Sequence, residues 1–280
     1  MSGQHNSFVD LHTHTIFSDG LFTPEELVAE VSRLGFTAIA VTDHDSVDGI
    51  DRARAEGRKR RVEVVPGVEM SCNVNGTDIH ILGYYLDYHQ ERVQDFFARI
   101  RQSRLERAER MVAKLTELGA PVSFARIKEL AGAGAVGRPH VAQAMLEAGA
   151  VASISEAFER YIGYDGPAYF PKLPLTPLEV ISFIHDNGGL TVIAHPATYG
   201  NDELLYTVIA AGVDGIEVWH PEHNERSVAR YQEIAEKNRL LMTGGSDCHG
   251  GRKLGRVYLG DICLPYKYLM TLKQRLRVNQ

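Results

Sequence analysis

The chain carries 12 histidines among 280 residues, several of them beside carboxylates in short clusters. His12-x-His14, with Asp19 close behind, sets two imidazoles at positions i and i+2. Such positions on a strand share one side, so both rings can reach one ion. Thr42-Asp43-His44-Asp45 directly follows an apolar run, and charged groups rarely end a buried strand without a partner. Glu69 follows Pro66-Gly67-Val68, His80 stands between Ile79 and Ile81, and His195 lies between Ala194 and Pro196. In Ser246-Asp247-Cys248-His249 the i, i+2 spacing returns, with Gly244-Gly245 ahead of it to let the backbone come close. Cys248 points the other way in that alternation and reads as packing, not as a nucleophile.

Each cluster also has a plainer reading. The His12/His14 pair would serve as two surface histidines, Asp43 or Asp45 as a helix N-cap, Glu69 as an exposed turn residue, and His80 as a hydrogen-bonded core residue. Their company favours chemistry. Together His12, His14, His44, His80, His195 and His249, with Asp19, Glu69 and Asp247, make nine candidate ligands. Imidazole with carboxylate suits Zn²⁺, Mn²⁺ and Fe²⁺ better than a pure Mg²⁺ or Ca²⁺ site. An open catalytic site uses about three or four protein ligands per ion, so this set implies two or three divalent ions. Glu69 is the natural bridge. Ions about 4 Å apart can activate a shared hydroxide and stabilise an in-line displacement at phosphorus.

Alternating strands and helices must position these groups. Apolar runs at 8–11, 36–42, 62–68, 78–85, 191–194, 215–219 and 240–243 read as strands. Thr23-Pro24-Glu25-Glu26 and Thr176-Pro177-Leu178-Glu179 both read as helix starts, with Thr as N-cap, Pro at the first helical position and Glu closing a capping box. Between 91 and 170 the pattern turns helical, with helices expected at 91–118, 139–148 and 155–161. The chain therefore divides into a barrel of 1–90 and 171–280 and a helical insertion of 91–170. Continuous apolar strands alternating with helices predict an α/β fold with a parallel sheet. The candidate ligands fall at the C-terminal ends of strands, which favours a closed barrel, where those ends converge on one mouth.

Hydrophobic residues make up 44% and charged residues 24% of the chain, an ordinary globular balance that excludes disorder and coiled coil. The net charge of −6 argues against a general basic coat for nucleic acid. No apolar run approaches the ~20 residues a membrane helix needs. MSGQHNSFVD shows no signal-peptide pattern, and the 3 cysteines form no CxxC pair. A cytoplasmic protein with reduced thiols is expected.

The segments Asp10-Leu11-His12-Thr13-His14, Ser18-Asp19-Gly20, Thr42-Asp43-His44-Asp45, Pro66-Gly67-Val68-Glu69, His80, Ala194-His195-Pro196 and Gly245-Ser246-Asp247-Cys248-His249 resemble the PHP (polymerase and histidinol phosphatase) family of amidohydrolase-like metallohydrolases. They span nearly the whole chain in that family's order. The resemblance implies a distorted (β/α)7 barrel, a di- or trinuclear site built from the nine ligands, and phosphoester hydrolysis by a metal-bound hydroxide. Within the insertion, the Arg-rich helix and Gly137-Arg138-Pro139-His140 resemble stand-alone members that act on nucleotides. Some of these remove the 3′-phosphate of nucleoside 3′,5′-bisphosphates, and others trim short RNA from the 5′ end.

Arg104, Arg107 and Arg138 are expected to clamp a second phosphate, with His140 as a further substrate-binding candidate. Arg252 and Lys253 belong to a loop just after His249 and would suit an oxyanion. His220 and His223 follow another strand end, where either would bind phosphate or protonate the leaving alkoxide. Asp43 and His223 are the candidate catalytic residues. The resulting expectation is a metal-dependent phosphoesterase acting on small nucleotides, with neither duplex DNA nor membrane as partner. Its rivals are a 5′→3′ exonuclease on short RNA, a histidinol-phosphate phosphatase and a non-catalytic metal-stabilised binding module.

Overall fold

In the computed structural model the described residues are 7–251 and 256–279. Arg252 and Lys253 lie outside them. The chain opens with β1 (Phe8–Asp10), α1 (Pro24–Arg33), β2 (Ala38–Val41), α2 (Ile50–Arg60), β3 (Glu63–Val74) and β4 (Thr77–Tyr84). A helical stretch follows: α3 (Glu91–Glu117), α4 (Phe124–Ala131), α5 (Arg138–Glu147) and α6 (Ile154–Ala157), which runs into a π-helical turn at Phe158–Ile162. The alternation then resumes with α7 (Pro177–Asp186), β5 (Leu190–Ile193), α8 (Asp202–Ala210), β6 (Gly215–Trp219), α9 (Glu225–Asn238), β7 (Leu241–Gly244), β8 (Leu264–Pro265) and α10 (Lys267–Asn279).

The strands form one sheet in the order β7-β6-β5-β4-β3-β2-β1-β8. Its two ends meet. Leu11 N donates to Gly244 O at 3.1 Å, Asp247 N donates to His12 O at 2.9 Å, and Thr13 pairs with Cys248. β8 occupies the remaining edge of β1 at Phe8 and Val9. The result is a nearly closed, distorted α/β barrel.

The sheet is not wholly parallel, which corrects the expectation from sequence. β4 runs antiparallel to both β3 and β5. Only Asn75 and Gly76 separate β3 from β4, and so short a link can only make a hairpin, because a parallel return needs a crossover of a dozen or more residues. Asn75 (φ 51°) and Gly76 (φ 89°) both adopt the left-handed backbone of such a turn.

Both Thr-Pro-x-Glu segments open helices as expected. Glu26 N donates to Thr23 Oγ1 at 3.2 Å while Thr23 N donates to Glu26 Oε2 at 2.8 Å, and Thr176 and Glu179 repeat the exchange. α1 then buries Leu27, Val28 and Val31 in a cluster with Ile39, Val41 and Cys248. Among the helices not individually expected are α2 and α4. After Ile50, α2 buries Ala53, Glu56 and Gly57 and no further large apolar side chain, so its apolar stripe is faint; α4 buries Ile127 and Ala131 alone.

α3 changes neighbours along its length. Val93, Phe97 and Ile100 join the barrel cluster with Ile181 and Ile184, and Phe96 stacks on Phe183 at 3.8 Å. Ala108, Met111 and Leu115 join a separate cluster with Ile127, Val141, Met145 and Ile162. Arg104 lies where the two meet.

One ion pair ties α7 to the strands around it. His185 Nε2 lies 2.7 Å from Asp214 Oδ2, which also accepts from Thr191 N at 2.8 Å and Thr191 Oγ1 at 3.0 Å. Arg275 Nη1 stands 3.8 Å from Asp214 Oδ1. The bond to Asp214 raises the His185 pKa. Protonated His185 therefore stabilises the fold below its unfolded pKa of about 6.5, and this contribution disappears as pH rises through the folded value. For so exposed a pair it is at most about 1 kcal/mol. His185→Ala should lower the thermal midpoint at pH 6 and leave a smaller difference at pH 9, readable by scanning fluorimetry at both values.

Candidate metal centre

Strand ends deliver most of the candidate ligands to one place. β1 runs on into His12 and His14, β2 into His44, β5 into His195 and β7 into Asp247 and His249. Glu69 lies within β3 and is bridged to His44. His80 arrives from the first half of the reversed β4, opposite Ser71 in register, so it reaches the mouth from the opposite chain direction.

The backbone is held in uncommon conformations here. Asp45 (φ 51°), His195 (φ 28°) and Asp247 (φ 50°) are all left-handed without being glycine, a cost of order 1–3 kcal/mol each that only a well-determined surrounding maintains. Gly245 is required: a Cβ there would stand 2.4 Å from both the Cβ and the N of His12.

Glu69 is the hub, fully buried. Its Oε1 faces His80 Nδ1 at 2.8 Å and His195 Nε2 at 2.9 Å. Its Oε2 faces His44 Nδ1 at 3.0 Å, and His12 Nε2 and His14 Nε2 each at 3.2 Å. Asp247 Oδ1 stands 3.1 Å from His14 Nε2 and 3.5 Å from His12 Nε2. Asp19 Oδ1 lies 3.2 Å from His249 Nε2 and 4.0 Å from His44 Nε2. Eight of these residues fall into three overlapping groups whose ligand atoms all lie within 4.8 Å of one another: His12/His14/Glu69/Asp247, His14/Asp19/His44/His249 and His44/Glu69/His80. His195 joins through Glu69 Oε1.

The donor set fits cations better than protons. His14 Nε2, His44 Nδ1 and Asp19 Oδ1 are buried atoms with no hydrogen-bond partner, although oppositely charged atoms lie close. Unpaired buried polar atoms are costly, whereas an ion accepts lone pairs from every direction at once. Burial opposes charge throughout the cluster. Even so, the carboxylates outweigh it at His12, whose pKa stands well above its ordinary value, and at His14, which rises to about 10. Against the same burial, the neighbouring imidazoles hold Glu69, Asp19 and Asp247 well below the usual carboxylate range. At His44 burial wins, and its pKa falls well below normal. Such opposed demands are what divalent ions would satisfy.

A surrounding layer orients the rings, and most of it escaped the sequence reading. His12 Nδ1 faces both oxygens of buried Glu217, at 3.1 and 3.3 Å, and Glu217 Oε2 also accepts from His195 N at 2.7 Å. Thr198 Oγ1 donates to His195 O and so accepts from His195 Nδ1, 3.1 Å away. His249 Nδ1 donates to Asp247 O at 2.8 Å. In all three rings this arrangement leaves the Nε2 lone pair for the cluster, the tautomer control common around metal sites. Nothing in the spacing of the sequence pointed to Glu217, which is simply the central residue of β6.

The remaining candidates fall in varied positions. Asp43 accepts from Thr15 N (2.7 Å), Thr15 Oγ1 (2.6 Å) and Ser18 Oγ (2.6 Å). It therefore braces the loop behind His14, and burial raises its pKa. His220 is buried, its Nδ1 accepting from Glu222 N at 3.1 Å and its Nε2 facing Asp247 Oδ2 at 3.4 Å. His223 stands behind it, with Nδ1 donating to Val218 O at 2.8 Å; burial lowers its pKa. His140 Nδ1 accepts from Gly137 N at 3.1 Å, inside the first turn of α5.

Among the arginines, Arg104 is spent on Asp45. Arg107 Nε donates to Phe170 O at 2.6 Å, while its Nη2 is buried without a partner. Arg138 packs over Tyr164, Tyr169 and Phe158. Lys172, not singled out from the sequence, donates to Ser71 Oγ at 2.8 Å and lies 3.5 Å from His80 Nε2 and 3.4 Å from Asp78 Oδ2.

A histidine–carboxylate cluster at the mouth of a distorted α/β barrel defines a metallohydrolase. The chain belongs to the PHP domain family, whose model matches residues 10–166, with a PHP-associated segment matching 221–260. It is a metal-dependent phosphoesterase. Similar proteins include the 5′-3′ exoribonuclease Rnm of Escherichia coli, 31% identical over 86% of this chain and 84% of its own. The 3′,5′-nucleoside bisphosphate phosphatase of Chromobacterium violaceum is 30% identical over 92% and 94%. Among solved structures, a protein of Bifidobacterium adolescentis classed as a metal-dependent phosphoesterase is 32% identical, covers 96% of both chains and superimposes with a TM-score of 0.86. Among the described residues no helix is long and apolar enough to cross a membrane.

Proposed function

We propose that this enzyme removes a phosphate from small nucleotides that carry a second phosphate, with nucleoside 3′,5′-bisphosphates as the reference substrate. The observation that carries the reading is a crowd of cations beside the metal centre. Arg107 is pushed down to about 10 by burial first, then by the charges of Arg138 and Arg104. Lys172 is lowered by burial and by Arg104 and Arg107, with Asp78 and Asp45 opposing. A phosphate would relieve this repulsion and satisfy the open Arg107 Nη2. Next to it, a cleft of about 260 Å³ lined by Ser71, Asn73, Asp78, Tyr169 and Lys172 offers room for part of a nucleoside. Residues 91–170 act as the substrate cap in this reading.

His12, His14, Glu69 and Asp247 would hold one divalent ion, Asp19, His44 and His249 a second, and His80 and His195 with Glu69 a third, with Mn²⁺, Fe²⁺ or Zn²⁺ suiting the donors. Bound ions would supply Lewis-acid polarisation of the phosphoryl group and of water. The chain's own part is positioning. Glu217, Thr198 and the Asp247 carbonyl fix ring tautomers, Asp43 braces the loop of His14, and Arg107, Arg138 and Lys172 hold the distal phosphate.

The similarity to Rnm supports a second reading, exonuclease action on short RNA from the 5′ end. Steady-state kinetics with Mn²⁺ supplied separates them. We expect kcat/KM for a nucleoside 3′,5′-bisphosphate at least about tenfold above that for the 5′-monophosphate, equivalent to about 1.4 kcal/mol. Arg107→Met should reduce the bisphosphate value far more than that for p-nitrophenyl phosphate. Faster turnover of 5′-phosphorylated di- to pentanucleotides would transfer the assignment to the exonuclease, and preference for histidinol phosphate would remove the nucleotide reading. Bound metal with no hydrolysis of any phosphoester would leave only a binding module.

A further inference from the structure

Expected as a phosphate clamp, Arg104 has its guanidinium committed to the chain itself. It sits at 7% exposure midway along α3, where that helix passes from the barrel to the helical segment. Its Nε donates to Asp45 Oδ2 at 3.0 Å, its Nη2 donates to the same oxygen, and its Nη1 donates to Val136 O at 3.2 Å. Asp45 Oδ1 accepts from Ser71 N at 3.0 Å. The Asp45 backbone is tied too, with its N donating to Glu69 O at 2.9 Å, and Glu69 N donating to Asp43 O at 3.2 Å. These bonds sew the segment 43–45 onto β3 around Glu69. Within that segment lies His44, whose Nδ1 faces Glu69 Oε2 at 3.0 Å.

We propose that Arg104 is a positioning residue for the metal centre: through Asp45 it holds His44 and Glu69 at the spacing an ion requires, and so locks α3 to the site. The proposal rests on the metal-centre reading. Asp45 occupies a left-handed backbone conformation (φ 51°), which a non-glycine residue keeps only where its surroundings enforce it. A planar guanidinium is suited to that task, because three of its nitrogens are engaged in fixed directions on two separate loops, at Asp45 and at Val136. A lysine keeps the charge but has no fork.

The test is Arg104→Lys in the full chain, stripped with chelator and titrated with Mn²⁺ alone by calorimetry, with bound metal counted by elemental analysis. Arg101→Lys is the control. Arg101 lies one turn away on α3 and pairs with Asp48 at 2.9 Å, so it should bind Mn²⁺ as the parent does. The expected result for Arg104→Lys is an Mn²⁺ affinity about 10–100-fold weaker, a reduced kcat on p-nitrophenyl phosphate and little change in KM. A raised KM with parental Mn²⁺ affinity would overturn the proposal in favour of a substrate clamp. A lower thermal midpoint with parental Mn²⁺ affinity would overturn it in favour of a purely structural pair. Should Arg104→Lys fail to fold, Asp45→Asn gives the same readout, because a carboxamide keeps the shape and loses the charge. Parental Mn²⁺ affinity in that variant is equally fatal. Absence of Mn²⁺ binding by the parent would sink the metal-centre reading itself, which separates the two failures.

Discussion

Asp247→Asn should yield a folded protein whose phosphoester turnover is lower by about 10³-fold. Asparagine is the informative choice because Asp247 has φ 50°, a left-handed conformation that asparagine tolerates better than most residues. The backbone of the Gly244–His249 turn therefore persists. Lost is the negative charge 3.1 Å from His14 Nε2 and 3.5 Å from His12 Nε2, on the carboxylate whose other oxygen faces His220 Nε2 at 3.4 Å. Ions at a phosphoryl-transfer site contribute several kcal/mol of charge stabilisation. At about 1.4 kcal/mol per factor of ten, loss of most of that at one position is about 10³-fold. Steady-state hydrolysis of p-nitrophenyl phosphate, with circular dichroism and metal content on the same sample, measures it. Parental turnover in a folded variant that retains no metal at this position would disprove the role given to Asp247.

The second large effect concerns Glu217. Glu217→Gln replaces a fully buried carboxylate that serves two groups at once, His12 Nδ1 through both oxygens and His195 N through Oε2. A carboxamide has one oxygen for these two donors. Its NH₂ must then face either His195 N–H or His12 Nδ1, and one ring or one turn shifts. Partners of this kind typically change metal affinity or activity about 10–100-fold. Both effects should appear together, as weaker Mn²⁺ binding by titration and a fall in kcat of similar size, since His12 and His195 lie on either side of Glu69. Unchanged Mn²⁺ binding and unchanged kcat would show that Glu217 only fills the core. Because Glu217 touches no candidate ion position directly, this variant tests the orienting layer separately from the ligands.

The legibility of this protein divides along the range of its interactions. His12-x-His14 was readable because two side chains two residues apart on an extended segment share a side; Asp247-x-His249 was readable only as two ligating residue types close together after a strand, since Asp247 adopts a left-handed backbone. Both Thr-Pro-x-Glu helix starts were readable because the exchange of hydrogen bonds in a capping box spans three residues. Glu217 was not, since the ring it orients is 205 residues away, and a lone glutamate in an apolar strand carries no local sign of its partner. Nor was the direction of β4. A run of β-forming residues specifies a strand without specifying its neighbours, and the tight turn at Asn75-Gly76 decided the matter.

Arg104 shows the same limit from the other side. An arginine-rich helix suggests an anion site, and Arg107, on the same helix, keeps an open nitrogen that suits one. Arg104 meets Asp45 instead, 59 positions earlier in the chain, and no periodicity within α3 distinguishes the two. The sequence by itself determined the class of chemistry, because only a few side-chain types ligate transition metals and their short-range spacings survive in any fold that keeps the strands. Tertiary structure alone decided which of those groups come together, which carboxylate, hydroxyl or carbonyl faces the Nδ1 of His12, His195 and His249, and which arginine is spent on the frame. Those outcomes depend on contacts between segments far apart in the chain, which burial and hydrogen bonding select only once the barrel has closed.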